Sequence, residues 1–250
     1  MMISAPNYGL ADQFDNSDLQ ALFEQMAPSY DQVSSLGSLG IINAWRKRCI
    51  ATAQIQPGMV VGDLLCGGGE AWPWLEQALQ GRGSLIALDL VAQPLKHPIW
   101  LERIEVHNCD IFANRLPSQS LDRVVCCFGL KTFCYSELVR FAGEIRRLLQ
   151  PDGRFSLIEI GTGNSWVGSL GHIYLQTVLP LLARGLGAPS FPYRQLAPLA
   201  QHFGTGKHVL QAFKQAGLLI EHQAIWGGLA HLFSGSRDSF QPMCYRTATK

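Results

Sequence analysis

The sequence predicts an α/β fold: one doubly wound, mostly parallel sheet of seven strands, with an N-terminal helical cover and a lid inserted after the fifth strand. Three observations carry this. Five near-continuous apolar runs of strand length follow one another from Met59: "MVVGDLL", "GSLIALDL", "RIEVHN", "LDRVVCCFGL" and "GRFSLIEIG". Such runs suit parallel strands buried on both faces. Helical stretches alternate with several of them, as a doubly wound sheet requires. A glycine-rich turn, "CGGGE", follows the first run at once.

In chain order, "LQALFEQMAP" (19–28) carries Leu19, Leu22, Phe23 and Met26 at helical spacing, with Pro28 as a stop. The Ser/Gly-rich "SSLGSLG" reads as a loop, Ile41 to Ala53 as a second helix, and "QPG" as a turn. Helices are expected in "AWPWLEQALQ", "YSELVRFAGEIRRLL" and "GKHVLQAFKQAGL", the last preceding a final strand pair. Between the second and third strands, Pro94 and Pro98 limit any helix to a turn or two. The organisation expected is residues 1–55 as helices covering the site and 56–250 as the α/β domain, with 161–206 as an apolar lid. An insertion at the C-terminal end of a strand stands where such sheets bind substrate.

Composition narrows the function. Hydrophobic residues make up 47% and aromatics 10%, enough for one sizeable core. Twenty basic against 19 acidic residues leave a net charge of +1, which argues against a nucleic acid partner. The seven cysteines are odd in number, most lie in apolar runs, and none has zinc spacing. They read as reduced thiols of a cytoplasmic protein without a metal. The N-terminus lacks the pattern of a signal peptide.

The turn after the first strand is a ligand site by physics, since glycines let ligand atoms approach the backbone. It lacks the third glycine of a dinucleotide fingerprint and the lysine of a phosphate loop. It has instead Asp63, Gly67 and Gly69 as D-x-x-x-G-x-G. Asp89 ends the second strand, where a carboxylate can accept from both hydroxyls of a ribose. Asp110 follows the third and could face a purine amino group. Three acids without a basic group at the strand tips suit a nucleoside that carries no phosphate, such as S-adenosylmethionine.

The ordered blocks "YD", "WRKR", "DLLCGGGE", "ALDL", "CDIFANRLP", "LDRVVCCFGLKT" and "RRLLQPDGRFSLIEI" make the resemblance specific. Over roughly residues 20 to 235, the chain resembles class I methyltransferases, and within them the menaquinone/ubiquinone C-methyltransferase (UbiE-like) family. The resemblance implies a Rossmann-like sheet and S-adenosylmethionine as cofactor. It implies that Asp63, Gly67 and Gly69 hold the methionine part, Asp89 with Leu90 the ribose, and Asp110 with Ile111 the adenine edge. Phe128 and Gly129 stand beside the methyl sulfonium. Tyr30, Trp45 and Arg46 match positions on the N-terminal helices, and Arg46 suits the cofactor carboxylate.

The chain departs from the family at Glu70, where an aspartate is usual, and at Lys131-Thr132, where Arg-Asn is usual. Both changes keep charge, and their paired shift in length predicts a Glu70–Lys131 pair near the transferred methyl. Trp72 and Trp74 read as packing residues. A carbon or oxygen acceptor must also lose a proton. Candidate bases are Glu159 at the end of the fifth strand, Tyr30, and His172 and His202 in or near the lid.

Methyl transfer to a small apolar or aromatic acceptor follows, with C-methylation of a quinone precursor as the first expectation. N- or O-methylation of a specialised metabolite, intramolecular cyclisation driven by the sulfonium, and a non-catalytic cofactor-binding subunit are the alternatives. The apolar lid residues Ile173, Leu175, Val178, Leu179 and Leu182 suit a lipid quinone, a peripheral membrane contact, or a second subunit of a homodimer.

Overall fold

The computed structural model describes residues 16–91, 103–162 and 166–237. Seven strands form one sheet: β1 (Val60–Leu64), β2 (Ser84–Asp89), β3 (Arg103–Asn108), β4 (Leu121–Cys127), β5 (Leu149–Ile160), β6 (Leu218–Ile225) and β7 (Ala230–Arg237). Their order is β3-β2-β1-β4-β5-β7-β6. β1 to β5 pair in parallel, and β7 runs antiparallel between β5 and β6. The chain reverses direction across the sheet between β1 and β4, and it is at this switch point that open α/β sheets bind ligands.

Nine α-helices are described: α1 (Asn16–Met26), α2 (Tyr30–Gly37), α3 (Ile41–Thr52), α4 (Trp72–Leu79), α5 (Tyr135–Leu148), α6 (Trp166–Ile173), α7 (Leu179–Gly185), α8 (Ser190–Phe203) and α9 (Lys207–Gln215). α5 and α9 pack over one face of the sheet, where Phe141, Ile145 and Phe213 meet Val124, Phe155 and Leu157. On the other face, Trp72, Leu75 and Leu79 of α4 and Ile50 of α3 pack on Val61, Leu85 and Val125. Burying such side chains stabilises the fold by about 1.5–3 kcal/mol each. Among the described residues, no helix is long and apolar enough to cross a membrane.

The structure departs from the expectations in two places and adds detail in two more. The supposed loop "SSLGSLG" is largely helix α2, held by tertiary contact. Val33 is buried, and a Cβ on Gly37 would lie 2.6 Å from the Tyr174 hydroxyl and 2.7 Å from Leu179. Strand β3 is not buried on both faces; it is the sheet edge, with Ile104 and Val106 exposed. The lid is mostly helical over its described part, with a π-helical segment (Tyr174–Val178) joining α6 to α7 in one rod. Cover and lid share one buried cluster, in which Leu22, Met26 and Val33 meet Leu175, Leu179, Tyr193 and Leu196. Pro94 and Pro98 lie outside the described residues.

Candidate active site

The site is built at the C-terminal tips of β1, β2 and β4. Asp63 is 1% exposed near the end of β1, in register with Ala87 and Val125 of the flanking strands. Its Oδ2 accepts from the indole Nε1 of Trp72 at 3.0 Å, in the first turn of α4. Burial is the main reason that its pKa is pushed up to about 7. The Trp72 bond works against that shift, while the charges of Glu70 and Asp89 add to it and that of Arg46 opposes it.

The turn between them is tied by its own atoms. Gly67 N donates to Asp89 Oδ2 at 2.7 Å, and Gly68 N donates to Glu70 Oε2 at 3.1 Å. Gly67 and Gly69 both have positive φ, +59° and +81°. A Cβ at Gly67 would stand 2.7 Å from the Glu70 carboxylate, and one at Gly69 would stand 2.8 Å from the Trp72 ring. The bare backbone expected to face the cofactor thus first makes room for the protein's own side chains, and Gly69 does not line the cleft.

Asp89 also accepts from Val91 N at 2.9 Å, so it ties the β1 turn to the end of β2. Its pKa is raised by burial in spite of these two donors. Asp110 caps the short 3-10 turn Ile111–Ala113 by accepting from Phe112 N at 2.8 Å. Each carboxylate oxygen has a further lone pair for a ligand hydroxyl or amino group.

Beyond β4, Phe128 takes the left-handed conformation (φ 69°), an outlier for a bulky residue, and its N–H bonds Ile158 O at 2.8 Å. Gly129 is required by packing, since a Cβ there would lie 2.5 Å from Leu65. From the cover, Arg46 is almost wholly buried; it donates to Asn43 Oδ1 at 2.7 Å, pairs with Asp31 at 3.5 Å and lies 5.6 Å over the Phe128 ring. Burial raises the Tyr30 phenol pKa and keeps it protonated.

Together these elements enclose a cleft of about 1130 Å³, open solvent at its mouth included. Its wall contains Tyr30, Arg46, Asp63, Gly67, Glu70, Asp89, Leu90, Asp110, Ile111, Phe128 and Gly129. Leu19, Phe23 and Met26 of α1 also line it, and sequence reasoning missed them as site residues. Their helical spacing beside the family's "YD" block was the available signal. Trp72 was missed too; a buried acid on a strand needs a donor, and an indole nine residues on supplies one.

Besides Gly69, five expected site residues stand outside the cleft. Lys131 pairs with Glu159, not Glu70: its Nζ lies 3.2 Å from Oε1, its backbone N donates to Oε2 at 2.9 Å, and Nζ also donates to Phe128 O. Glu159 accepts in addition from Ile160 N at 2.7 Å and is fully buried. The two residues brace the loop after β4 from behind and do not line the cleft. Trp45 packs edge-on against Trp226, centroids 5.9 Å apart, and His172 sits in the last turn of α6; neither lines the cleft. His202 lines a separate small hollow with Lys131 and His208.

A family model described as "ubiE/COQ5 methyltransferase family" matches residues 11–237. The chain belongs to this family. It is 27% identical over 233 residues to a demethylmenaquinone methyltransferase of Lactobacillus johnsonii, covering 89% of this chain and 95% of that one. It is also 27% identical over 219 residues to a 2-phytyl-1,4-naphtoquinone methyltransferase of Thermosynechococcus vestitus, covering 85% and 96%. Among solved structures, a 1,6-didemethyltoxoflavin-N1-methyltransferase of Burkholderia thailandensis superposes with a TM-score of 0.58 at 16% identity, over 95% of this chain and 92% of that one. At that identity the likeness bears on the fold alone. The chain is an S-adenosylmethionine-dependent methyltransferase acting on a small molecule, and the acids at three strand tips of its cleft fit that cofactor.

Proposed function

We propose that the acceptor is a quinone precursor carrying a hydrocarbon tail and that a ring carbon receives the methyl group. Support comes from the relatives, a demethylmenaquinone methyltransferase and a 2-phytyl-1,4-naphtoquinone methyltransferase. The apolar wall formed by Leu19, Phe23, Met26 and Phe128 suits such an acceptor. We assign Asp63 to the ammonium and Arg46 to the carboxylate of the methionine part, Asp89 with Leu90 to the ribose, and Asp110 with Ile111 to the adenine edge. When bound, S-adenosylmethionine supplies a methyl group on a positively charged sulfur. The protein's task is then to align the acceptor, exclude water and take up a proton.

The observation that carries this reading is that Asp63, Asp89 and Asp110 line one cleft together with Arg46, a buried cation. For the proton, we assign Glu70. Among the described lining residues it is the carboxylate left over once the three aspartates hold the cofactor. Tyr30, kept protonated by burial, serves as a hydrogen-bond donor to the acceptor oxygen. The protein is placed in the cytoplasm, working at the membrane in which its acceptor dissolves. A homodimer would compete with that membrane for the same apolar surface.

The test supplies S-adenosylmethionine and a reduced, prenylated 1,4-naphthoquinone. S-adenosylhomocysteine and a ring-methylated product are expected. An O-methyl product, or release of methylthioadenosine, would overturn the assignment.

A further inference from the structure

The rod Trp166–Gly185 has two faces of opposite environment. On the inner one, Leu175, Leu179 and Ala183 are buried against Leu22, Met26 and Val33 of the cover. On the outer one, Trp166, Leu170, Ile173, Val178 and Leu181 are each between 50 and 76% exposed. Their spacing is four, three, five and three residues. The step of five falls across the π-helical segment Tyr174–Val178, where one extra residue per turn brings Val178 into line with Ile173. Single exposed leucines are ordinary; a stripe kept in line by a π turn is not.

The surroundings say what covers it. No Asp or Glu occurs on the rod or on α8, which packs against it, whereas Arg184 lies on the rod and Arg194 on α8. Arg184 closes the stripe, three residues after Leu181, and is exposed. Beside the first turn of α6, where Val167 lies 3.3 Å from a Cβ at Gly227, Trp226 is 58% exposed on a left-handed backbone (φ 49°). An aliphatic stripe edged by Trp166, Trp226 and Arg184, on a rod with no carboxylate of its own, matches the headgroup region of an anionic bilayer. A symmetric contact with a second copy would set the same cations against themselves.

We propose that the outer face of this rod docks the protein on an anionic lipid surface, next to the cover of the cofactor cleft. The proposal rests on the reading of a lipid-tailed acceptor and names how that acceptor is reached. The test is flotation of the full chain with phosphatidylcholine vesicles, with and without phosphatidylglycerol. Wild type is expected to float with the anionic vesicles and to be released by salt. Leu170→Glu with Ile173→Glu lowers partitioning by about a hundredfold, tenfold for each apolar side chain withdrawn. Its unfolding midpoint and S-adenosylmethionine affinity stay unchanged. Arg184→Gln narrows the preference for the anionic vesicles.

The proposal is overturned if wild type stays in solution with both vesicles or if the double variant floats equally well. It is also overturned if wild type is a dimer that the same variant splits. Methylation of a short-chain, water-soluble quinol reads the functional assignment separately: its failure with flotation intact sinks the acceptor and leaves the docking face. Flotation lost with that activity intact does the reverse.

Discussion

Asp63→Asn should make the empty protein more stable and the loaded one less so. The wild-type carboxyl rises from an ordinary 3.8 to about 7, so its ionised form is roughly 4 kcal/mol less favourable in the fold than in the open chain. A raised acid stabilises the fold fully below the unfolded pKa, and that contribution is lost as pH climbs through the folded one. Wild-type stability therefore carries a falling component from about pH 4 to about pH 7 that asparagine, a mimic of the protonated acid, lacks. Asparagine can keep the bond from Trp72 Nε1 through its amide oxygen. Urea unfolding of both proteins across this range should show a difference growing to roughly 4 kcal/mol in favour of the variant at pH 8. With saturating S-adenosylmethionine the order should invert, because on the proposed assignment an ionised Asp63 would give the cofactor ammonium a charge-assisted bond that the amide cannot replace. Wild-type affinity for the cofactor should accordingly fall as pH drops below 7. If the two pH–stability curves run parallel, Asp63 is not held protonated and the reasoning fails.

Lys131→Met leaves Glu159 buried without its ammonium partner and should destabilise the fold by about 3–5 kcal/mol. Most of that returns in the double variant with Glu159→Gln, and chemical denaturation reads both. Gly69→Ala forces a methyl against the Trp72 ring in the core, whereas Gly67→Ala meets the movable end of Glu70. Both are strained at positive φ, and Gly69→Ala should lower the unfolding midpoint further, by about 1–3 kcal/mol against wild type. Tyr30→Phe should slow methyl transfer yet leave its pH profile unshifted, since the wild-type phenol stays protonated; a lost alkaline limb in steady-state assays would contradict that.

The sheet and the strand-tip acids were legible because both depend on local pattern. Apolar runs near Val60, Ser84 and Leu121 closed on acids or glycines where a doubly wound sheet places ligands. Helix α2 was not legible, because its serines and glycine favour a loop and tertiary contacts hold it, among them Tyr174 and Leu179 far along the chain. The partner of Lys131 was misread for a related reason. Matching chain positions by charge suggested Glu70, whereas the pairing of Cys127 with Ile158 sets the loop after β4 beside Glu159. Strand order decides that contact, and side-chain length does not. Trp72 was dismissed as packing; it packs, and it also holds the acid on which the site is centred.

The cluster joining cover and rod has a kinetic consequence. Ser29 and Tyr193 share a hydrogen bond of 2.8 Å, and Met26 and Val33 are buried among the leucines of the rod. The helices α1 and α2, from which Leu19, Phe23, Met26 and Tyr30 line the cleft, therefore cannot lift by themselves: the rod must move or the cluster must open. A rod seated on a bilayer would be held still, so leaving the membrane and releasing spent cofactor would become parts of one cycle, and turnover would follow the residence time on lipid.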